Sequence, residues 1–212
     1  RRHTILDYLG SAGVLLGISI PTFWLGIIVI IVFGLWLRWL PISGRVDPRL
    51  GADPSVPFLT VTSLLQGNWA VAGDALRHLI LPALTLSAWP AAIVARMTRA
   101  SVLDVLKADF IRTARAKGLR EKTVIIRHAL RNALIPIVTL VGLQAGYLLG
   151  GAVVTESIYS WPGVGRLAVG AILASDMPLA QGAILSLAIA FLVINLIVDL
   201  LYGLLDPRVQ HR

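Results

Sequence analysis

The chain has 212 residues, of which 57% are hydrophobic and only 14% charged, where an ordinary soluble domain carries about 25% charged residues; its length is therefore better counted in bilayer spans than in soluble domains. The formal net charge of +8 does not mark a nucleic-acid binder, because the basic residues sit in short loops flanking apolar segments, where the positive-inside rule already accounts for them. There is no Cys, which excludes disulfides and Cys-based metal sites.

The start, Arg1-Arg2-His3, leads through a mixed segment into a full-length apolar span, which is not the pattern of a cleavable signal peptide. Crossing a bilayer by helix takes roughly 20 apolar residues, and four stretches qualify. Val14–Leu37 runs 24 residues without a charge, and Leu79–Ala95 runs 17 before Arg96. Ala133–Val154 gives 22, and Leu179–Val198 gives 20 before Asp199. The expected architecture is an all-α membrane protein, one polytopic transmembrane helix bundle over residues 1–212 with four spans and both ends on the same side. Lys and Arg set the orientation. Loop 38–78 carries four (Arg38, Arg45, Arg49, Arg77) against three Asp, and loop 155–178 carries Arg166 against Glu156 and Asp176. Loop 96–131 carries ten against Asp104, Asp109 and Glu121, so its net charge is ten minus three, or +7. That loop and both termini, with Arg1, Arg2, Arg208 and Arg212, are expected on the cytoplasmic side, and the other two loops outside.

The spans carry helix-packing marks. Gly13 and Gly17 open the first, and Gly142, Gly146 and Gly150 repeat at four-residue spacing through the third. Small residues at that spacing let backbones approach closely in lipid, so this row is expected to pack on a helix of the same chain or of a partner. Pro21, Pro82, Pro90 and Pro136 interrupt the hydrogen-bond ladder in or near spans, which suits a bundle whose neighbours re-satisfy the freed carbonyls. Gln144 and Asn195 lie at depth and are expected to hydrogen-bond between helices or line the pathway. Asp199 lies near enough to the interface to reach water, which weakens its claim to a site. There is no mid-membrane charged network of the kind ion-driven carriers need and no phosphate-cradling Gly-x-x-x-x-Gly-Lys-Ser/Thr. His3, His78, His128 and His211 have no metal-ligand spacing, and no nucleophile–base pairing marks a catalytic residue.

Within loop 96–131 a helix is expected over Arg99–Lys117, where Val102, Leu103, Leu106, Phe110 and Ala114 recur at helical spacing. Lys117-Gly118 is a stop signal, the Gly supplying a left-handed residue. A second helix, Glu121–Leu134, leads through Pro136 into the third span. A basic hairpin of this kind can simply be solvated or lie along lipid, but the small residues Ala114, Ala116 and Gly118 suggest a smooth face for a protein partner.

Residues 112–118, Arg-Thr-Ala-Arg-Ala-Lys-Gly, followed after nine residues by His128-Ala-Leu-Arg131, resemble the cytoplasmic EAA loop of permease subunits of bacterial ABC importers. Three positions depart from the general pattern: Arg112 for Glu, Thr113 for Ala and Arg131 for Pro. Those departures are similar to the wording of the dipeptide/oligopeptide/nickel branch, B-type permeases. The likeness continues in Ile18-Ser-Ile-Pro-Thr-Phe-Trp-Leu-Gly26, Leu40-Pro-Ile-Ser-Gly44, Leu79-Ile-Leu-Pro-Ala-Leu-Thr85, Glu156 with Trp161-Pro-Gly-Val-Gly-Arg166, and Asp199-Leu-Leu-Tyr with Leu205-Asp-Pro-Arg208.

The resemblance implies the type I importer permease fold in the bacterial cytoplasmic (inner) membrane. Permeases of this branch usually have about six spans, so the chain is similar to their C-terminal two-thirds, and the start is expected to be absent from this sequence. The implied function is to form half of a pathway for dipeptides or oligopeptides and couple it to a cytoplasmic ATPase. Asp109, Arg112, Thr113, Ala114, Arg115, Ala116, Lys117 and Gly118 would make the ATPase contact. The outward loops Pro41–His78 and Thr155–Pro178, the latter with Glu156, Trp161, Pro162, Gly163 and Gly165, would meet a substrate-binding protein. The implied partners are a second, homologous permease, two ATPase subunits, that binding protein and membrane lipid, with no nucleic acid. No cofactor is implied for this chain, since ATP and Mg belong to the ATPase, and neither catalysis nor a metal site is expected of it. Nickel or glutathione import by the same family stays open beside peptide import, as do, from other classes, an autonomous channel or ion-driven carrier and a non-transporting scaffold.

Overall fold

Runs of Ala, Leu, Ile and Val with no period-2 alternation satisfy their backbone polar groups internally as helices, and in lipid that is obligatory. The computed structural model of the chain describes residue 17 and residues 19–205. Among the described residues every regular element is helical, as an all-α bundle requires. Val14, the start of the first expected span, lies outside the described residues, as do Gly13, Ile18 and the Asp206-Pro-Arg208 end of the last motif.

Helix α1 spans Thr22–Trp36 and passes into π geometry over Ile30–Trp36. Pro21 does not interrupt it. That residue stands at the N-cap, where its missing N–H costs nothing, and its carbonyl accepts from Leu25 N at 3.0 Å. Helix α2 is Leu59–Leu65, and α3 runs unbroken over the 37 residues Trp69–Val105. At 1.5 Å per residue α3 is about 55 Å long, well beyond the ~30 Å hydrocarbon core. A short turn Asp109–Ala116 forms α4. The α-turn α5, Glu121–Thr123, continues through a π segment, Val124–Leu130, into α6, Arg131–Ile158, with Pro136 inside it. Helix α7 is Val164–Leu173 and α8 is Met177–Leu205. Trp69–Val105, Pro136–Ile158 and Met177–Val198 are long and apolar enough to cross a bilayer, while Thr22–Trp36 is shorter.

Two sequence expectations need correction. Loop 38–78 is not a plain loop. Its last ten residues are the first turns of α3, and the rest folds around a small core of Val46, Leu59 and Val71 with Ala52 and Val56 against it. Arg77 and His78 end the apolar run without ending the helix, because polar side chains do not by themselves oppose helical backbone. His78 is itself buried, its Nδ1 2.9 Å from Asp74 O, and Asp74 Oδ2 accepts from Asp47 N at 2.7 Å. The helix expected over Arg99–Lys117 breaks after Val105. Ala108 is extended (φ −66°, ψ 148°) and a new helix starts at Asp109. No Gly or Pro marks the break; burial of the next turn decides it.

The described residues gather into two compact units. One holds Ile20–Ala88 and Leu148–Phe191; the other holds Trp89–Tyr147 with Leu192 onward. In the first, Tyr159 is fully buried. Its hydroxyl lies 2.7 Å from Thr85 Oγ1 and donates to Gly26 O at 3.3 Å, tying α1, α3 and the end of α6 together. In the second, Ser101 Oγ donates to Ala133 O at 3.0 Å, so α3 and α6 lie side by side at that level.

Candidate functional site

The loop between α3 and α6 has a core of its own. Ile111 and Val124 are fully buried, packed with Ala114 and Ala129, and Val105 and Leu106 close over them. That packing explains the break after Val105, which lets α4 fold back and present Ile111 inward. Asp109, Arg112, Thr113, Arg115, Ala116, Lys117 and Gly118 are exposed around this core. Ala114 is not. The expectation that Ala114 shares a smooth outer face with Ala116 and Gly118 fails because residues two apart on a helix point roughly opposite ways. Lys117 ends the helix, and Gly118 takes φ +75° with open space around it, the left-handed turn that the Lys-Gly pair signals.

The turn is pinned by a pair six residues apart. Arg115 donates through Nη2 to Glu121 Oε1 at 2.6 Å and through Nε to Oε2 at 3.1 Å. These hydrogen bonds hold the Glu121 carboxyl below the usual carboxylate range and raise the Arg115 guanidinium. Asp104 pairs with Lys107 at 3.9 Å and Asp109 with Arg112 at 3.6 Å. The spacing of Arg115 and Glu121 gave no sequence signal, because the two stand on different helices. Ile111 was overlooked too, although an apolar Phe110-Ile111 pair inside a basic loop was the available cue.

The second group lies where α6 gives way to α7. The half-buried Glu156 carboxylate accepts from Arg166 N at 2.9 Å, in the first turn of α7, where an anion is favoured. A Cβ at Gly163 would collide with that carboxylate, and one at Gly165 would stand 2.7 Å from the Val153 backbone. The two glycines are therefore the space that Glu156 occupies. Trp161 carries Arg45, whose Cζ stands 5.8 Å from the ring centroid and whose Nη1 donates to Pro54 O and Val56 O at 3.0 and 3.1 Å. Sequence reasoning did not single out Arg45. Pro162 and Gly163 head an open groove of about 610 Å³, continued by Val164, Leu167, Ala171 and Leu179.

The glycine row is split between the two units. Gly142 is buried, and a Cβ there would run into Val198 of α8, so this is a close helix contact within the chain. Gly146 is half-buried and Gly150 faces open space. Gln144 is buried, Asn195 is half-buried, and Trp89 stacks on Tyr147 with centroids 4.2 Å apart. The Asp199 side chain lies outside the described residues.

Residues 1–211 match the family described as binding-protein-dependent transport system inner membrane component. The chain belongs to this family. Its resemblance to ABC-importer permeases, read from the loop motifs, is thereby borne out. It is 46% identical over 212 residues to the di/tripeptide transport system permease protein of Pseudomonas aeruginosa (strain UCBPP-PA14). It is 45% identical over 215 residues to the dipeptide transport system permease protein of Escherichia coli (strain K12). In both cases the match covers 100% of this chain and 63% of the relative, so the chain spans under two-thirds of their length. The glutathione transport system permease protein of Pectobacterium atrosepticum is 42% identical over 97% of this chain and 58% of its own length. Family and apolar helices together make this a multi-pass membrane protein of the permease type.

Proposed function

We propose that the chain is the transmembrane subunit of an ATP-driven importer of short peptides, forms half of the pathway, and takes its drive from a cytoplasmic ATPase. The observation that carries this reading is the Asp109–Gly118 turn: a short helix stiffened by its own buried core, mounted between two long membrane helices, with a polar outer face. Work from nucleotide binding can pass only through an element that is stiff and docked at both ends. Asp109, Arg112, Thr113, Arg115, Ala116, Lys117 and Gly118 meet the ATPase, while Ala114 supports them from inside. The basic loop and both ends of the chain lie on the cytoplasmic side. ATP and Mg are held by the ATPase, and this chain does no chemistry of its own. A second, homologous permease completes the pathway, and a soluble binding protein delivers cargo to the outer face around Glu156, Trp161, Pro162, Gly163 and Gly165.

Peptide cargo is supported by the names of the relatives at 45–46% identity. Glutathione is the neighbouring cargo, supported by the 42% relative. The test is purification of the tagged protein from its own membrane in mild detergent, with companions identified by mass, followed by uptake of labelled dipeptide and glutathione. Two ATPase copies, a second permease and ATP-dependent dipeptide uptake are expected. A homo-oligomer with no ATPase, even after crosslinking at residues 112–118, would overturn the reading.

A further inference from the structure

At mid-membrane the chain carries polar groups that its own helices do not satisfy. Tyr147 is the central residue of the 23-residue span Pro136–Ile158. At 1.5 Å per residue it stands about 16 Å from either end, in the middle of a hydrocarbon core ~30 Å thick. It is 37% exposed, and its hydroxyl makes no hydrogen bond among the described residues. Gln144 stands one turn away on the same face of α6 and is only 8% exposed. Its side-chain amide also lacks a partner among those residues, although no fully buried side-chain N or O does. The small part of Gln144 that is exposed therefore includes its amide, next to Tyr147. Trp89 of α3 completes the group. It lies within the uncharged run Leu79–Ala95, and its ring stacks on Tyr147 with centroids 4.2 Å apart and planes inclined by 30°. Its indole N–H is likewise without a partner among the described residues. All three residues belong to one compact unit.

Lipid, another helix or cargo could cover this face. Hydrocarbon does not fit, because it would leave a hydroxyl, an amide and an indole N–H with nothing to bond. A closely packed helix does not fit either. Helices in lipid approach over small residues, as α6 does where Gly142 meets Val198, whereas two stacked aromatic rings hold a neighbour off. A short peptide fits. Each of its peptide bonds offers an N–H and a C=O, which an amide and a hydroxyl, each both donor and acceptor, can match. Its apolar side chains can pack on exposed ring surface.

We propose that Trp89, Gln144 and Tyr147 form a mid-membrane contact site for cargo in transit, the amide and hydroxyl holding the peptide backbone and the rings one apolar side chain. The site rests on the peptide-importer reading and gives that reading residues on this chain. None of its groups is charged, so it recognises the peptide bond that all short peptides share, and its rings favour aromatic cargo.

The test uses the full-length protein in its assembled complex, reconstituted in vesicles with binding protein and ATP. A hydrogen bond is worth about two- to tenfold, so Y147F and Q144L should each lower the dipeptide moved per ATP hydrolysed by about that factor. W89L should lower uptake of Phe-Phe relative to Ala-Ala by about two- to tenfold, the worth of one aromatic contact. Equal loss of both dipeptides would mean that the ring only packs helices, and would overturn the site. Y147C adds the only thiol within these 212 residues. A charged, membrane-impermeant thiosulfonate should modify it, and dipeptide should slow the reaction. No modification in any nucleotide state, with wild-type dipeptide uptake intact, would overturn the site and leave the importer reading standing. Absence of dipeptide uptake by the wild type would overturn that reading and the occupant with it. Where the variants fail to assemble, a dipeptide bearing a diazirine side chain on the wild type decides. Adducts on Trp89, Gln144 or Tyr147 support the site, and adducts confined elsewhere overturn it.

Discussion

Ile111→Ala is the most direct probe of the coupling turn. Ile111 is fully buried, and its cluster contains only Ala114, Val124 and Ala129 with Val105 and Leu106 against it. The substitution removes three carbons, about 2.4 kcal/mol of transfer free energy at ~0.8 kcal/mol per buried methylene. The cavity left behind adds to this, which places the total within the ~2–5 kcal/mol range for such changes. A cluster this small has few other contacts to share the loss. At 1.4 kcal/mol per tenfold, about 2.5 kcal/mol raises the local opening equilibrium some sixtyfold. Hydrogen exchange should therefore report much faster exchange at the amides of residues 109–117, with α3 and α6 above residue 136 unchanged. ATP-dependent uptake should fall while the assembled complex is still recovered. Arg120→Gln, at an exposed position, is the control and should change exchange little. Unchanged protection in Ile111→Ala would mean that the turn is held by something other than its core, and the mechanical argument would fail with it.

Gly118→Val places a β-branched residue at φ +75°, where an L side chain costs about 1–2 kcal/mol; uptake should drop with the companions still bound, and Gly118→Asn should be milder. Gly142→Leu should overpack α6 against Val198 at a cost of about 1–3 kcal/mol and lower the melting temperature in detergent, while Gly150→Ala, facing open space, should not. The Glu121 carboxyl is lowered by its hydrogen bonds to Arg115, so the pair stabilises the turn above the ordinary carboxylate pKa of about 4.3 and loses that contribution as pH falls through the depressed value. Protection at residues 117–121, corrected for intrinsic exchange, should therefore weaken on acidification below that range, and Glu121→Gln should be weaker at neutral pH and insensitive to it.

The apolar segments were legible because a bilayer imposes a length on them, and Leu79–Ala95, Ala133–Val154 and Leu179–Val198 each fall inside a described helix. Where the helices end was not legible. Hydropathy reports the environment of a side chain, while a helix stops only when its backbone is redirected. Asp74, Arg77 and His78 end the apolar run of α3 and leave its ladder intact, with Asp74 and His78 hydrogen-bonded to each other. Conversely, Val105, Leu106, Lys107 and Ala108 are all acceptable in a helix, and the chain breaks there because Ile111 gains a buried place on Val124 and Ala129. That gain depends on a segment more than ten residues away, which no local pattern contains.

The same division runs through the site. Gly118 could be read from the sequence because the left-handed residue is a local demand, met within the turn itself. Arg115 and Glu121, the pair that bridges that turn, could not, because they stand on different helices and meet only across it. Glu156 and Gly163 combine both cases: the motif names them together, but only the fold gives the reason. The carboxylate caps α7 at Arg166 N from the far side of a turn, and a Cβ at Gly163 or Gly165 would push it out. The glycines of Trp-Pro-Gly-Val-Gly thus serve less as flexible joints than as room for one anion, which fixes how α7 leaves the end of α6. The groove headed by Pro162 begins beside that half-buried charge-to-helix contact.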